Sequence, residues 1–222
     1  MNWSNTETGS QLITLLASLM LVLQLLLVVQ RMLVTNIRIF GLQSLVLAAI
    51  AAVVGYVYGA WHVYVVAVLT FVGKVVFLPW FLERLVRKMK IEQEVNPLFN
   101  MPASMLICGA LTVLAYVVAR PLASLERLGS NTLAVATALL LTGFFLMINR
   151  RKAITQVLAL LAMENGVMLA AIALTSYGMP LVVEIGVVFD VVIAVMVLGI
   201  LVFRIRETFA SMDVSKLNEL KW

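Results

Sequence analysis

Seven runs of about 18 to 25 mostly apolar residues dominate this chain, a length that matches a helix crossing a hydrocarbon core of roughly 30 Å. They cover Gln11–Leu33, Ile37–Tyr58, His62–Val86, Met101–Ala119, Asn131–Ile148, Ala153–Ser176 and Pro180–Phe203. No water reaches the middle of a bilayer, so every backbone N–H and C=O there must be satisfied inside its own helix or in a closed barrel. Barrel strands alternate polar and apolar residues over short segments, whereas these runs are apolar all round. The expected fold is an all-α integral membrane protein of seven transmembrane helices. Composition agrees, because a chain of 222 residues that is 63% hydrophobic and 12% charged has more apolar surface than one soluble core can hide.

Basic residues in short loops are retained on the cytoplasmic side, and their positions set an orientation. Arg31 and Arg38 flank the first turn; Arg84, Arg87, Lys88 and Lys90 follow the third run; Arg150, Arg151 and Lys152 follow the fifth; and Arg204 and Arg206 close the seventh. The opposite turns carry Arg120 and Arg127. All the clusters share one side if the N-terminus is outside and the C-terminus cytoplasmic. Met1–Ser10 has no basic stretch and contains Glu7, which suits an uncleaved first span better than a signal peptide. The net charge of +5 then faces lipid headgroups and cytoplasm, and no nucleic-acid partner is expected.

The longest polar break, Arg87–Asn100, contains Asn96-Pro97 and reads as a cytoplasmic loop. It divides the chain into residues 1–100, a three-helix region with that loop; 101–130, a connecting helix and outer loop; and 131–222, a second three-helix region with a cytoplasmic tail. The stretch from Arg31 through Thr35 to Ala48–Ala51 is similar to that from Arg151 through Thr155 to Ala170–Ala173, an offset of about 120 residues of the kind that parallel repeats produce in transport folds. Where the back half has Glu164, the front half offers Gln43 or Ser44.

Four charged residues fall well inside the apolar runs. Glu164 lies about twelve residues from the cytoplasmic end of its span, roughly 18 Å deep by helix rise. A carboxylate at that depth costs a few kcal/mol to insert, and such acids mark ion paths and proton relays. Helix-locking by hydrogen bonding is the plainer alternative. Asp190 sits at a similar depth on the next span, so the two acids could pass a proton through water. Glu184 is six residues nearer the outer surface and roughly 120° around the helix from Asp190. Lys74, about ten residues inside the cytoplasmic end of the third run, could pair with Glu164, with Asp190 or with an acid on a partner chain. His62 opens its span at the outer interface, and the single Cys108 can form no internal disulfide. No phosphate-binding loop, dinucleotide fingerprint, HExxH or Cys/His cluster is present, so no cofactor and no metal site is expected on this chain.

The run Ile148-Asn149-Arg150-Arg151-Lys152, followed by Leu160 through Glu164-Asn165-Gly166 to Met168, resembles the small three-helix subunit K of NADH:quinone oxidoreductase, with its arginine-rich turn before a mid-helix glutamate. The similarity continues through Phe189-Asp190 to Val195, the closing Phe203–Arg206 and the short tail Met212–Glu219. A chain of this length with such a C-terminal half is similar to the membrane component E of hydrogenase-4. That resemblance implies a subunit without a redox or catalytic centre in an oxidoreductase complex of the bacterial or archaeal cytoplasmic membrane. Its implied neighbours are antiporter-like membrane subunits and the membrane anchor of a nickel–iron hydrogenase arm. The glutamate of subunit K's central helix maps onto Glu164, and its second glutamate onto Asp190, where a shorter acid stands here. Lys74 and Glu184 have no counterpart in that match. The competing readings are the small, subunit K-like component of a multisubunit sodium/proton antiporter and a purely structural membrane adaptor.

Overall fold

Continuous apolar sequence becomes continuous helix wherever the computed structural model describes the chain, at residues 3–59, 61–89, 97–121 and 131–174. The seventh expected span, Pro180–Phe203, and with it Asp190 and Glu184, lies outside the described residues. The helices are α1 (Trp3–Val29), α2 (Leu33–Tyr58), α3 (Trp61–Thr70), α4 (Leu78–Met89), α5 (Met101–Ala119), α6 (Thr132–Asn149) and α7 (Ala153–Leu174). A π-helical segment, Phe71–Phe77, joins α3 directly to α4, so the three make one rod. Among the described residues, six stretches are long and apolar enough to cross a membrane, which makes this a multi-pass membrane protein. Their outward faces fit that solvent: α5 exposes Leu106, Val113, Leu114, Val117 and Val118.

The first turn is a correction to hydropathy. Apolar content extends the first span to Leu33 and starts the second at Ile37, yet the chain leaves the helix at Gln30 and re-enters at Leu33. Side-chain chemistry sets that break: Gln30 Oε1 accepts the N–H of Arg31 at 2.9 Å and of Met32 at 3.4 Å, and Asn36 Nδ2 donates to Gln30 O at 3.2 Å. Helix ends leave backbone groups without partners, so the residues that satisfy them fix the boundary.

The second turn repeats this arrangement 120 residues on. α6 ends at Asn149 and α7 begins at Ala153, as α1 ends at Val29 and α2 begins at Leu33. Gln156 Nε2 donates to Arg150 O at 2.9 Å, the same six-residue reach that joins Asn36 to Gln30. The two turns also touch. Arg150 Nη2 donates to Leu27 O at 2.8 Å, Val28 O at 3.2 Å and Gln30 O at 2.8 Å. Charge patterning places Arg150 among the bases facing headgroups, but it is buried, because the open carbonyls and negative dipole end of α1 bind a cation there. Asn149 ties in α5: its Nδ2 donates to Ser104 Oγ at 3.1 Å and its Oδ1 accepts the Phe99 N–H at 2.9 Å.

α2 is the hub of the bundle, packing against α1, α3, the π segment, α4 and α7, while α6 packs against α1, α5 and α7. An ion pair of 3.2 Å between Arg38 and Glu83 sets the start of α2 beside α4 at the end of the bundle that also carries Arg31, Arg150 and Arg151.

Candidate functional site

Among the described residues three charged side chains are buried, and two of them face each other. Lys74 Nζ stands 3.5 Å from Glu164 Oε2, with side-chain exposures of 6% and 1%. Sequence alone leaves Lys74 a choice of acids; among the described residues it stands beside Glu164. Asp190 and Glu184 fall outside the described residues, so the geometry of the site is that of Lys74, Glu164 and their neighbours.

Local backbone explains why Lys74 points inward. Of the seven residues in the π segment, Lys74 alone is buried, while Phe71, Val72, Val76 and Phe77 lie on the outside. The N–H of Leu78 donates to Gly73 O, five residues back rather than four. The next residue, Pro79, has no N–H to give, and its ring would press on the carbonyl four residues earlier in a regular α-helix. A wide turn ahead of the proline relieves that clash, and wide turns of this kind recur at functional positions. Gly41 on α2 completes the fit, since a Cβ there would lie 3.2 Å from Pro79 Cγ and 4.0 Å from Val75 O. Hydropathy makes Lys74 a residue of a plain α-helix; Pro79 is the signal in the sequence for something else.

Glu164 is fixed by the seam between α6 and α7. A Cβ on Gly143 would fall 2.8 Å from Met163 Cα, and one on Gly166 would fall 2.8 Å from Leu139 Cβ and 3.0 Å from Leu140 N. Both glycines therefore allow backbone-to-backbone contact, as small residues do in membrane helix pairs. With Met163 and Gly166 held against α6, Glu164 and Asn165 are turned toward the front half of the bundle.

A run of neutral polar side chains meets the ion pair there. Lys74 Nζ also donates to Asn165 Oδ1 at 3.4 Å. Asn165 Nδ2 donates to Gln43 Oε1 at 3.3 Å and to Ser44 Oγ at 3.1 Å. Gln43 Nε2 donates to Gln24 Oε1 at 2.9 Å and to Met20 O at 3.4 Å. All four amide and hydroxyl residues are fully buried. Sequence reasoning misses Asn165 and Gln24 as site residues, and meets Gln43 and Ser44 only as the front-half positions matching Glu164 in the repeat. A signal was available, since Gln24 and Gln43 sit deep in apolar runs, and an amide there has to find a partner inside the bundle. Among the described residues no three His, Cys, Asp or Glu side chains gather as metal ligands.

Comparisons with known proteins place this geometry in a family. Residues 131–222 match the family of NADH-ubiquinone/plastoquinone oxidoreductase chain 4L. An uncharacterized protein of Mycobacterium tuberculosis is 34% identical over 187 residues, covering 83% of this chain and 84% of that protein. Hydrogenase-4 component E of Escherichia coli K12 is 30% identical over 216 residues, covering 96% of this chain and 99% of that one. No solved structure matches. With that identity sustained across nearly the full length of both proteins, the chain belongs to the hydrogenase-4 component E family.

Proposed function

We propose that this chain is a non-catalytic membrane subunit of an energy-converting hydrogenase of the hydrogenase-4 type, or of a related respiratory complex, and that Glu164 and Lys74 form a link in its proton path. The observation that carries the reading is the buried pair itself, a carboxylate and an ammonium 3.5 Å apart on two different helices. A proton arriving on Glu164 neutralises it and removes the negative charge that stands 3.5 Å from the ammonium. In a low-dielectric bundle that change of field shifts the proton affinity of the next titratable group, so charge moves stepwise between sites. Asp190 and Glu184 continue the path on the seventh span. The chain crosses the cytoplasmic membrane of a bacterium or archaeon seven times, N-terminus outside, with residues 131–222 as its subunit K-like part. Antiporter-like subunits and the membrane anchor of the hydrogenase arm are its neighbours, and electron transfer belongs to the complex around it.

The test is Glu164→Gln in membrane vesicles that hold the assembled complex, reading proton uptake against electron flow. Uptake is expected to fall while the complex remains assembled, because the exchange removes a titrating group and nearly keeps its shape. Unchanged uptake would leave the adaptor reading in its place. Asp190→Asn is expected to give the same kind of defect, and the double change less than the sum of the two, as residues serving one path do.

A further inference from the structure

The amides beside the ion pair are ordered in one sense. Lys74 donates to Asn165, Asn165 donates to Gln43, and Gln43 donates to Gln24. Each amide therefore turns its carbonyl toward the ammonium and its NH2 group away from it. A backbone atom imposes this direction: Met20 O can only accept, so Gln43 must set its NH2 there, at 3.4 Å, and its oxygen toward Asn165. Asn165 must then present its own NH2 to Gln43 and Ser44, which leaves its oxygen for Lys74. At the far end Gln24 Nε2 is buried with no hydrogen-bond partner among the described residues. An open donor in that setting is unfavourable, and it persists because turning Gln24 over would set its NH2 against that of Gln43.

We propose that Asn165, oriented by Gln43, is the second seat of the Lys74 ammonium, and that these two amides are positioning residues for the Glu164 relay. This rests on the reading of Glu164 as a proton-carrying group. Glu164 and Asn165 are consecutive on α7, and Lys74 Nζ lies 3.5 Å from one and 3.4 Å from the other. When Glu164 gains a proton, one O–H bond forms and the acid becomes neutral. The ammonium, keeping its three protons, leans on Asn165 Oδ1, behind which the aligned carbonyl of Gln43 adds its dipole. When Glu164 gives the proton to the next group, the ammonium returns to the carboxylate. Lys74 thus stays within reach through both halves of the cycle and does not swing out of the site.

The experiment compares Gln43→Met, Asn165→Leu and their double variant with Glu164→Gln, all in vesicles holding the assembled complex. Gln43 touches neither member of the ion pair, yet Gln43→Met is expected to lower coupled proton uptake about fivefold, the worth of the one neutral hydrogen bond by which it orients Asn165. It should also shift the infrared band of the protonated carboxyl that Glu164→Gln abolishes. The double variant should be no worse than Asn165→Leu alone. If Gln43→Met fails to assemble, Gln43→Leu, likewise without an oxygen to accept from Asn165, is read in its place and is expected to give the same shifted band. An unshifted band and normal uptake in the Gln43 variant, with uptake lost in Glu164→Gln, would overturn the amide seat and leave the proton path standing. Additive losses in the double variant would overturn it too. Normal uptake in Glu164→Gln would remove both readings together.

Discussion

A charge with no water around it depends on its partner. Lys74 and Glu164 are each nearly inaccessible, and truncating one to an apolar side chain takes from the other a charge 3.5 Å away, a loss that in protein interiors is destabilising by about 3–5 kcal/mol. Lys74→Met alone is therefore expected to lower the thermal stability of the purified subunit or complex. Combining it with Glu164→Met should restore most of the loss, because an apolar pair of similar size demands no solvation. Unfolding temperatures of the single and double variants check this, and it holds whether or not the pair carries protons. The two charges are legible in the sequence because an acid and a base interrupt apolar runs. Their amide neighbours are not, since Gln24, Gln43 and Asn165 take their meaning from contacts between helices far apart in the chain. Arg150 is legible as a charge but not as to place, because a linear pattern does not show that α1 ends beside it.

At the scale of elements, the break in regularity between α3 and α4 controls where Lys74 points. Pro79→Ala supplies the missing N–H, and the π segment is then free to close into an α-helix. Rewinding the seven residues of the π segment as α-helix rotates α3 against α4 by about 100°. The expected result is a chain that still inserts but has lost the Lys74–Glu164 contact, seen as a fall in proton coupling with assembly retained. Retained coupling would show that Gly41 and the surrounding packing hold the π turn without the proline. In the seam of α6 and α7, Gly143→Val should be destabilising by about 1–3 kcal/mol, since overpacked contacts have to be relieved by backbone movement. The yield of folded protein in mild detergent measures it. The helix boundaries at Met101, Ala119, Asn149 and Ala153 lie close to those that hydropathy sets. The first turn and the π segment depart from it, because a side-chain cap and a missing donor act on single hydrogen bonds and leave the apolar profile unchanged.

For the whole molecule, the decisive asymmetry is between the two ends of the bundle. Arg31, Arg38 and Arg151 are exposed at the end where α1 meets α2 and α6 meets α7, and Arg120 is exposed at the other end, past α5. With the orientation proposed above, a cysteine at position 120 is labelled by a membrane-impermeant reagent from outside, and one at 151 only after the membrane is opened. The native Cys108 is buried and should contribute little background. The reverse pattern would invert the subunit.

The clasp that Arg150 places on α1 also has a history within each molecule's synthesis. Gln30 leaves the ribosome 120 residues before the arginine that closes the helix end behind it, a delay of the order of ten seconds at roughly 5–20 residues per second. Throughout that interval three carbonyls at the end of α1 lack the arginine that binds them in the folded chain. The front hairpin is therefore a provisional insert, and its final seat is granted only when the fifth long apolar helix has been threaded and its arginine delivered. A chain that stops before residue 150 therefore leaves Leu27, Val28 and Gln30 without the guanidinium that their carbonyls share.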